Sequence, residues 1–253
     1  MNPSRYAKNL LKRWLAKKGY EIFRRPYLPK GVDVFESLRA HWPQFQPTVI
    51  FDVGANVGQT VIRLRPYFPQ ATIHSFEPIP ATFAALLANV GKDSRVQCHP
   101  LALADRAGET AVQLHGSSEH NSLSPALRGT PGTAGPVVSI ALETAAGFCA
   151  RQNISHIDLL KIDVEGFELE VFKGASPLFA AGAVDYIVAE AGLMPGHPRF
   201  TPLPAMIELL RPQGFWLVGV YEQFGSRYLE TAECCNVLFA HERKLTRSPA
   251  SVE

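Results

Sequence analysis

The chain has 253 residues, 46% of them hydrophobic, with 25 Lys and Arg against 23 Asp and Glu. That length fits one α/β domain with a short appendage, and the composition is enough for one sizeable core. The near-neutral balance excludes the broad basic excess of a nucleic-acid binder, and no run of about 18 apolar residues exists to span a membrane.

The first elements are unevenly charged. Residues 1–25 hold eight cations (Arg5, Lys8, Lys12, Arg13, Lys17, Lys18, Arg24, Arg25) against Glu21 alone. Residues 6–18 read as a short basic helix with Leu10, Leu11, Trp14 and Leu15 on one side. The simpler expectation is a cap helix that docks this stripe on the domain. The alternative is peripheral contact with an anionic membrane surface or a partner. There is no long apolar h-region or cleavage site, so no signal peptide is expected. Pro26, Pro29 and Gly31 mark a connector. The division expected is residues 1–45 as basic helix and connector, 46–245 as the main domain, and 246–253 as a tail.

From residue 48 strand and helix signals alternate. Thr48 to Val53 is a strand buried on both faces, followed by a helix from Val57 that Pro66 stops. Ala71 to Phe76 is a second strand. Pro80 opens a helix whose Phe83, Leu86, Leu87 and Val90 face the sheet. Arg95 to Ala104 is a third strand, and Thr110 to His115 an extra one. Residues 116–136 are rich in Gly, Pro and Ser, and so long an irregular loop is expected to be either functional or disordered. Val137 to Ile140 returns to strand and Leu142 to Gln152 to helix. Ile157 to Val164 is the strongest central strand, and the helix after it is expected to end near Gly174. Val184 to Ala189 is a strand, and a helix over Leu203 to Leu210 stops at Pro212. Phe215 to Tyr221 and Cys234 to Ala240 form a closing antiparallel pair. The pattern predicts a doubly wound, mostly parallel sheet that binds ligands beyond the C-terminal strand ends. The four cysteines (Cys98, Cys149, Cys234, Cys235) form no C-x-x-C pair and read as reduced thiols of a cytoplasmic protein.

Three motifs carry the chemistry. The first is Asp52-Val53-Gly54-Ala55-Asn56-Val57-Gly58, a glycine turn between strand and helix whose backbone N–H groups are expected to face a ligand. It lacks the G-x-G-x-x-G of a dinucleotide site. A carboxylate at Asp52 would repel a pyrophosphate but suits a cationic amino-acid moiety. The second is Ser75-Phe76-Glu77-Pro78. Glu77 closes the second strand 19 residues after Gly58, where an acid accepts hydrogen bonds from both ribose hydroxyls. The third is Asp158 to Gly166, in which Lys161, Asp163 and Glu165 alternate and so share one side of a regular strand. Three charges leaving a buried strand belong at its open end. The plainer reading is an internal ion pair of Lys161 with an acid.

Together these stretches resemble the FkbM family of methyltransferases. The segments that carry the resemblance are TVIFDVGANVGQT, IHSFEP, LALADRAGE, NSL at 121–123 and IDLLKIDVEGFELEVFKGA. It spans about residues 48–190, with a looser continuation through GFWLVGVYE and NVLFAHE. DVGANVG with KIDVEGFE is specific in combination. The resemblance implies a seven-stranded class I methyltransferase (Rossmann-like) α/β sheet with its last strand antiparallel. It implies S-adenosylmethionine as methyl donor and O-methylation of hydroxyls on sugars, glycans or secondary metabolites. Class I methyltransferases of this kind often pair, so a homodimer is a further expectation.

On this reading Asp52, Gly54, Ala55, Asn56 and Gly58 hold the methionine part of the donor, Glu77 its ribose, and Asp105 sits near the adenine with Leu103 or Ala104. Glu165 and Asp163, with Lys161 beside them, are the leading catalytic candidates; Glu190, closing the fifth strand, is the third base candidate. Two acids and a substrate hydroxyl suit Mg²⁺, but no required metal is predicted. His120 and Asn121 are candidates for acceptor contact. His74, His115, His156 and His197 read as surface or core. Phe215, Trp216, Tyr221, Phe224 and Tyr228 offer rings to a sugar or, more simply, build core. The competing functions are methylation of RNA or protein, and a nicotinamide-dependent oxidoreductase.

Overall fold

A computed structural model describes residues 11–20, 23, 31–114, 135–197, 199–225 and 231–245. His115, His120, Asn121, the NSL segment, Leu10, Tyr228 and the tail 246–253 lie outside the described residues.

Ten strands and seven helices follow in chain order: α1 (residues 11–17), α2 (Val34–His41), β1 (Val49–Val53), α3 (Gln59–Leu64), β2 (Thr72–Phe76), α4 (Pro80–Val90), β3 (Val96–His99), β4 (Ala102–Leu103), β5 (Gly108–Gln113), β6 (Val137–Glu143), α5 (Ala145–Gln152), β7 (Ile157–Ile162), α6 (Glu168–Ala180), β8 (Val184–Gly192), α7 (Leu203–Leu210), β9 (Phe215–Gly225) and β10 (Ala232–His241). The main sheet has seven strands in the order β3-β2-β1-β7-β8-β10-β9. β3, β2, β1, β7 and β8 run parallel, while β10 is antiparallel to both β8 and β9. This is the mixed seven-stranded α/β sheet expected from the sequence. Its strand order reverses between β1 and β7, which opens a crevice at their C-terminal ends.

The central strands are apolar on both faces because helices cover both. Phe51 and Val53 of β1 and Leu160 and Ile162 of β7 pack with Phe148, Phe172, Phe179 and Met206 from α5, α6 and α7. Ile50 and Leu159 point the other way, to Leu38, Leu64, Leu86 and Val90 from α2, α3 and α4. α2 precedes residue 46 and joins this core. Asp33 starts it, accepting the N–H groups of Phe35 and Glu36, both at 2.9 Å.

Several expectations are corrected. The third strand is two: Pro100 has no N–H to continue the ladder. The chain leaves β3 and joins a three-stranded sheet, β4-β6-β5, around Ala102, Val112, Ile140 and Leu142. On α4, Phe83, Leu86 and Val90 face the core as expected, joined by Thr82, but Leu87 is exposed. Leu142 is strand, and α5 starts only after its Thr144 cap. Gly174 does not end α6 but lies inside it, where a Cβ would come 1.9 Å from the Ala104 carbonyl oxygen. Of the basic helix's stripe, Leu11 is 54% and Trp14 57% exposed, while Leu15 is half-buried. Among the described residues no helix is long and apolar enough to cross a membrane.

Candidate functional site

After β1 the chain turns through Gly54 (φ 78°), Asn56 (φ 47°) and Gly58 (φ 94°) into α3. Glycine is required at 54 by its left-handed φ and by a close approach, since a Cβ would lie 1.8 Å from the Asp163 carbonyl oxygen. The turn is stitched to β2. The N–H groups of Gly54 and Ala55 donate to Phe76 O at 3.1 and 2.9 Å, and that of Asn56 to Glu77 Oε2 at 3.1 Å. These three donors, expected to be open to a ligand, are therefore used within the protein. Glu77 is buried, and its Oε1 accepts the Ile79 N–H at 2.9 Å. Burial pushes its carboxyl up, and the two N–H donors pull against that. An ionised carboxylate offers about four acceptor positions, so each oxygen can still accept a hydroxyl.

Below the turn lies an ion-paired column. Asp52 is fully buried, and Lys161 Nζ lies 3.5 Å from it and 3.3 Å from Asp163. Burial pulls Lys161 down, but the Asp163 and Asp52 carboxylates outweigh it and hold its pKa above the ordinary value, so Lys161 is a cation. Burial pushes Asp52 up, against Lys161. Lys161 reaches the cavity and Asp52 does not.

The cavity, of about 500 Å³, opens at the C-terminal ends of β1, β2, β7 and β8. That size is within the usual range for a small-molecule site. Gly54, Asn56 and Glu77 form one side, Ala102 and Leu103 another, and Asp163, Glu165, Glu190 and Arg199 a third, with Phe224 also on the lining. β7 ends at Ile162, so Lys161, Asp163 and Glu165 do not share a regular strand. They meet at the cavity because Glu165 (φ 54°) and Gly166 (φ 91°) fold the chain back. A non-glycine residue in that conformation costs on the order of 1 kcal/mol. Glu168 offsets it: its Oε1 accepts the N–H groups of Val164 and Gly166, both at 3.2 Å. The other oxygen of Glu168 accepts the Thr201 hydroxyl, which anchors the loop carrying Arg199. Burial pushes Glu168 up to about 7.

Arg199 donates to Glu165 Oε2 through Nε at 3.1 Å and Nη2 at 2.7 Å. Burial pushes Glu190 up to about 8, helped by Asp163, Glu165 and Glu168. One oxygen each from Asp163, Glu165 and Glu190 lie within 4.8 Å of one another, close enough to share a cation. A second cluster, His156, Asp158 and Asp185, is far from the cavity at the start of β7 and β8. There Arg243 and Lys244 already sit 2.6 and 2.7 Å from Asp185.

Residues 52–217 match the family model described as the methyltransferase FkbM domain. The chain belongs to the FkbM methyltransferase family. It is 30% identical over 227 residues to the 31-O-demethyl-FK506 methyltransferase FkbM of Streptomyces tacrolimicus, covering 79% of this chain and 81% of that one. It is 26% identical over 176 residues to the 2-O-methyltransferase NoeI of Sinorhizobium fredii (64% and 70% covered). It is 29% identical over 157 residues to the hexuronic acid methyltransferase AglP of Haloferax volcanii, covering 58% of each. Among solved structures, a Burkholderia thailandensis 1,6-didemethyltoxoflavin-N1-methyltransferase with bound S-adenosylhomocysteine is similar at a TM-score of 0.46 and 13% identity, covering 95% and 91%.

As a member of this family the protein uses S-adenosylmethionine as its methyl donor. The cavity fits that group: Glu77 has acceptor capacity to spare, and Asn56, on the lining, has a buried Oδ1 with no hydrogen-bond partner among the described residues. Of the residues singled out in the sequence, Gly54, Asn56, Glu77, Lys161, Asp163, Glu165 and Glu190 line the cavity, as do Leu103 and Phe224. Asp52, Ala55, Gly58 and Ala104 lie behind it, and Asp105 is at the surface beside Arg106. Phe215 and Tyr221 are core, and Trp216 lies under the Arg211 guanidinium at 4.0 Å. Sequence reasoning missed Arg199, Glu168 and Thr201. Glu168 had a signal, being an acid in the first turn of a helix directly after the charged motif.

Proposed function

We propose that the protein methylates a hydroxyl of a sugar, glycan or secondary metabolite, with Glu190 as the group that takes the proton. The observation that carries this reading is the placement of Glu190 on the cavity beside two other acids, with its carboxyl pushed up to about 8. A hydroxyl is a poor nucleophile at neutral pH, and a general base works best with a pKa near the working pH. Glu165 is less suited, because Arg199 occupies its Oε2 twice. Asp163 faces the Lys161 ammonium. The names of FkbM and NoeI speak of O-methylation and that of AglP of a hexuronic acid, which supports a hydroxyl acceptor, a sugar's among them.

When bound, S-adenosylmethionine supplies an electrophilic methyl on a sulfonium. Glu77 and Asn56 would hold its ribose and amino-acid ends on one side of the cavity, and the acids of the cluster would favour a cationic group beside them. Glu190 would take the proton of the acceptor hydroxyl. Phe224, 58% exposed, offers a ring face to a sugar.

The test is transfer of labelled methyl from S-adenosylmethionine to a panel of deoxysugars, glycan extracts and polyketides, with the product bond identified by NMR. A new O–CH₃ is expected. Label found only on nitrogen, or only on RNA or protein, overturns the reading.

A further inference from the structure

The basic helix α1 leaves two large residues of its apolar side, Leu11 and Trp14, in solvent. Leu11 is 54% and Trp14 57% exposed, and Tyr20 just beyond is 64% exposed. Such residues are usually buried, and an exposed apolar strip rimmed by charge marks an interaction surface. Leu11, Trp14 and Leu15 are spaced i, i+3, i+4 and so share one side of the helix, while Lys12, Arg13 and Lys17 fall on the rest of its circumference. The charge is local: residues 1–25 carry eight cations and one acid in a chain whose net charge is only +2, so the remainder is net acidic.

We propose that α1 is a docking surface for an anionic lipid bilayer, lying in the headgroup plane with Trp14 and Leu11 inserted and the cations against the lipid phosphates. The sequence alone left an anionic membrane surface or a partner open beside a cap helix, and the exposure of Leu11 and Trp14 supports the membrane reading over the cap. Charge complementarity selects the lipid: a cationic helix with one apolar side is the form of an interfacial anchor. Nucleic acid would engage the cations and leave Leu11 and Trp14 in water. The net acidic remainder of the chain keeps the attraction confined to this segment, so it orients the molecule on the surface.

The test uses the full chain in co-sedimentation with phosphatidylcholine vesicles, with and without phosphatidylglycerol. Binding is expected only with phosphatidylglycerol, falling at least about tenfold from low to high salt as the charges are screened. Trp14 fluorescence should shift to the blue on binding, a change that Trp14→Phe removes. The double variant Leu11→Ser, Trp14→Ser should lose at least about tenfold in vesicle affinity while keeping its S-adenosylhomocysteine affinity, which shows that it is folded. Equal binding to neutral vesicles, no binding, or an unaffected double variant overturns the proposal. So does tighter binding to RNA than to vesicles at the same ionic strength.

Discussion

The backbone N–H of Asn56 donates to Glu77 Oε2 at 3.1 Å, which ties the glycine turn after β1 to the acid that closes β2. Both lie on one side of the cavity, so the two groups proposed to hold the donor are bonded to each other. Replacing Glu77 by Ala should weaken S-adenosylmethionine binding by roughly 30-fold, the equivalent of about 2 kcal/mol for charged hydrogen bonds to the ribose. Calorimetric titration measures this, and unchanged affinity would take Glu77 out of the donor site.

Glu190 must be ionised to accept a proton, so the sign of its pH effect is fixed. Its carboxyl is pushed up to about 8 by burial. With the acceptor found in the labelled-methyl screen, kcat/KM should rise with pH and level off above about 8. Glu190→Gln should lower kcat by roughly 10²- to 10⁴-fold and abolish that limb. Full turnover in this variant would pass the role to Asp163 or Glu165.

Glu168 affects stability in the opposite sense to an ordinary surface acid. Its folded pKa of about 7 is above the ordinary value of 4.5, so the folded state binds the extra proton between those values. Its contribution is present at low pH and lost as pH rises through about 7. In Glu168→Gln the amide can still accept from Val164 and Gly166 and donate to Thr201. The melting temperature of this variant relative to the wild type should therefore climb between about pH 4.5 and 7, the range set by the two pKa values, and level off above it. Glu168→Ala leaves those donors without a partner and should cost on the order of 3 kcal/mol. A flat difference between wild type and Glu168→Gln across that range would show that Glu168 does not titrate there.

Two of the three clustered acids already face a cation, Glu165 through Arg199 and Asp163 through Lys161. Dialysis against EDTA should consequently leave turnover unchanged. Activity lost on chelation and restored by Mg²⁺ would instead make the three carboxylates a metal centre.

How much of this was readable in the sequence depends on range. The glycine turn, Glu77 and the KIDVEG stretch each end a parallel strand, and a doubly wound sheet brings those ends to one edge. Their meeting thus follows from chain order alone. Arg199 and Thr201 could not be found that way, because their partners Glu165 and Glu168 sit more than thirty residues earlier, where the chain passes from β7 into α6. Asp33, three residues before Glu36, is a helix-start pattern that marks α2. Pro100 likewise marks the break between β3 and β4. The consumption of the Gly54, Ala55 and Asn56 N–H groups by β2 is a matter of register between strands, which spacing along one strand does not reveal.

The close approach of Gly174 to Ala104 has a consequence for what the enzyme can admit. Ala104 directly follows the strand that brings Ala102 and Leu103 to the cavity wall, and α6 rests on its backbone. One methyl group added at 174 would have to displace that strand, and the wall with it. The bore of the chamber is thus set in part by an atom that is missing on the far side of its lining, where no substrate ever goes.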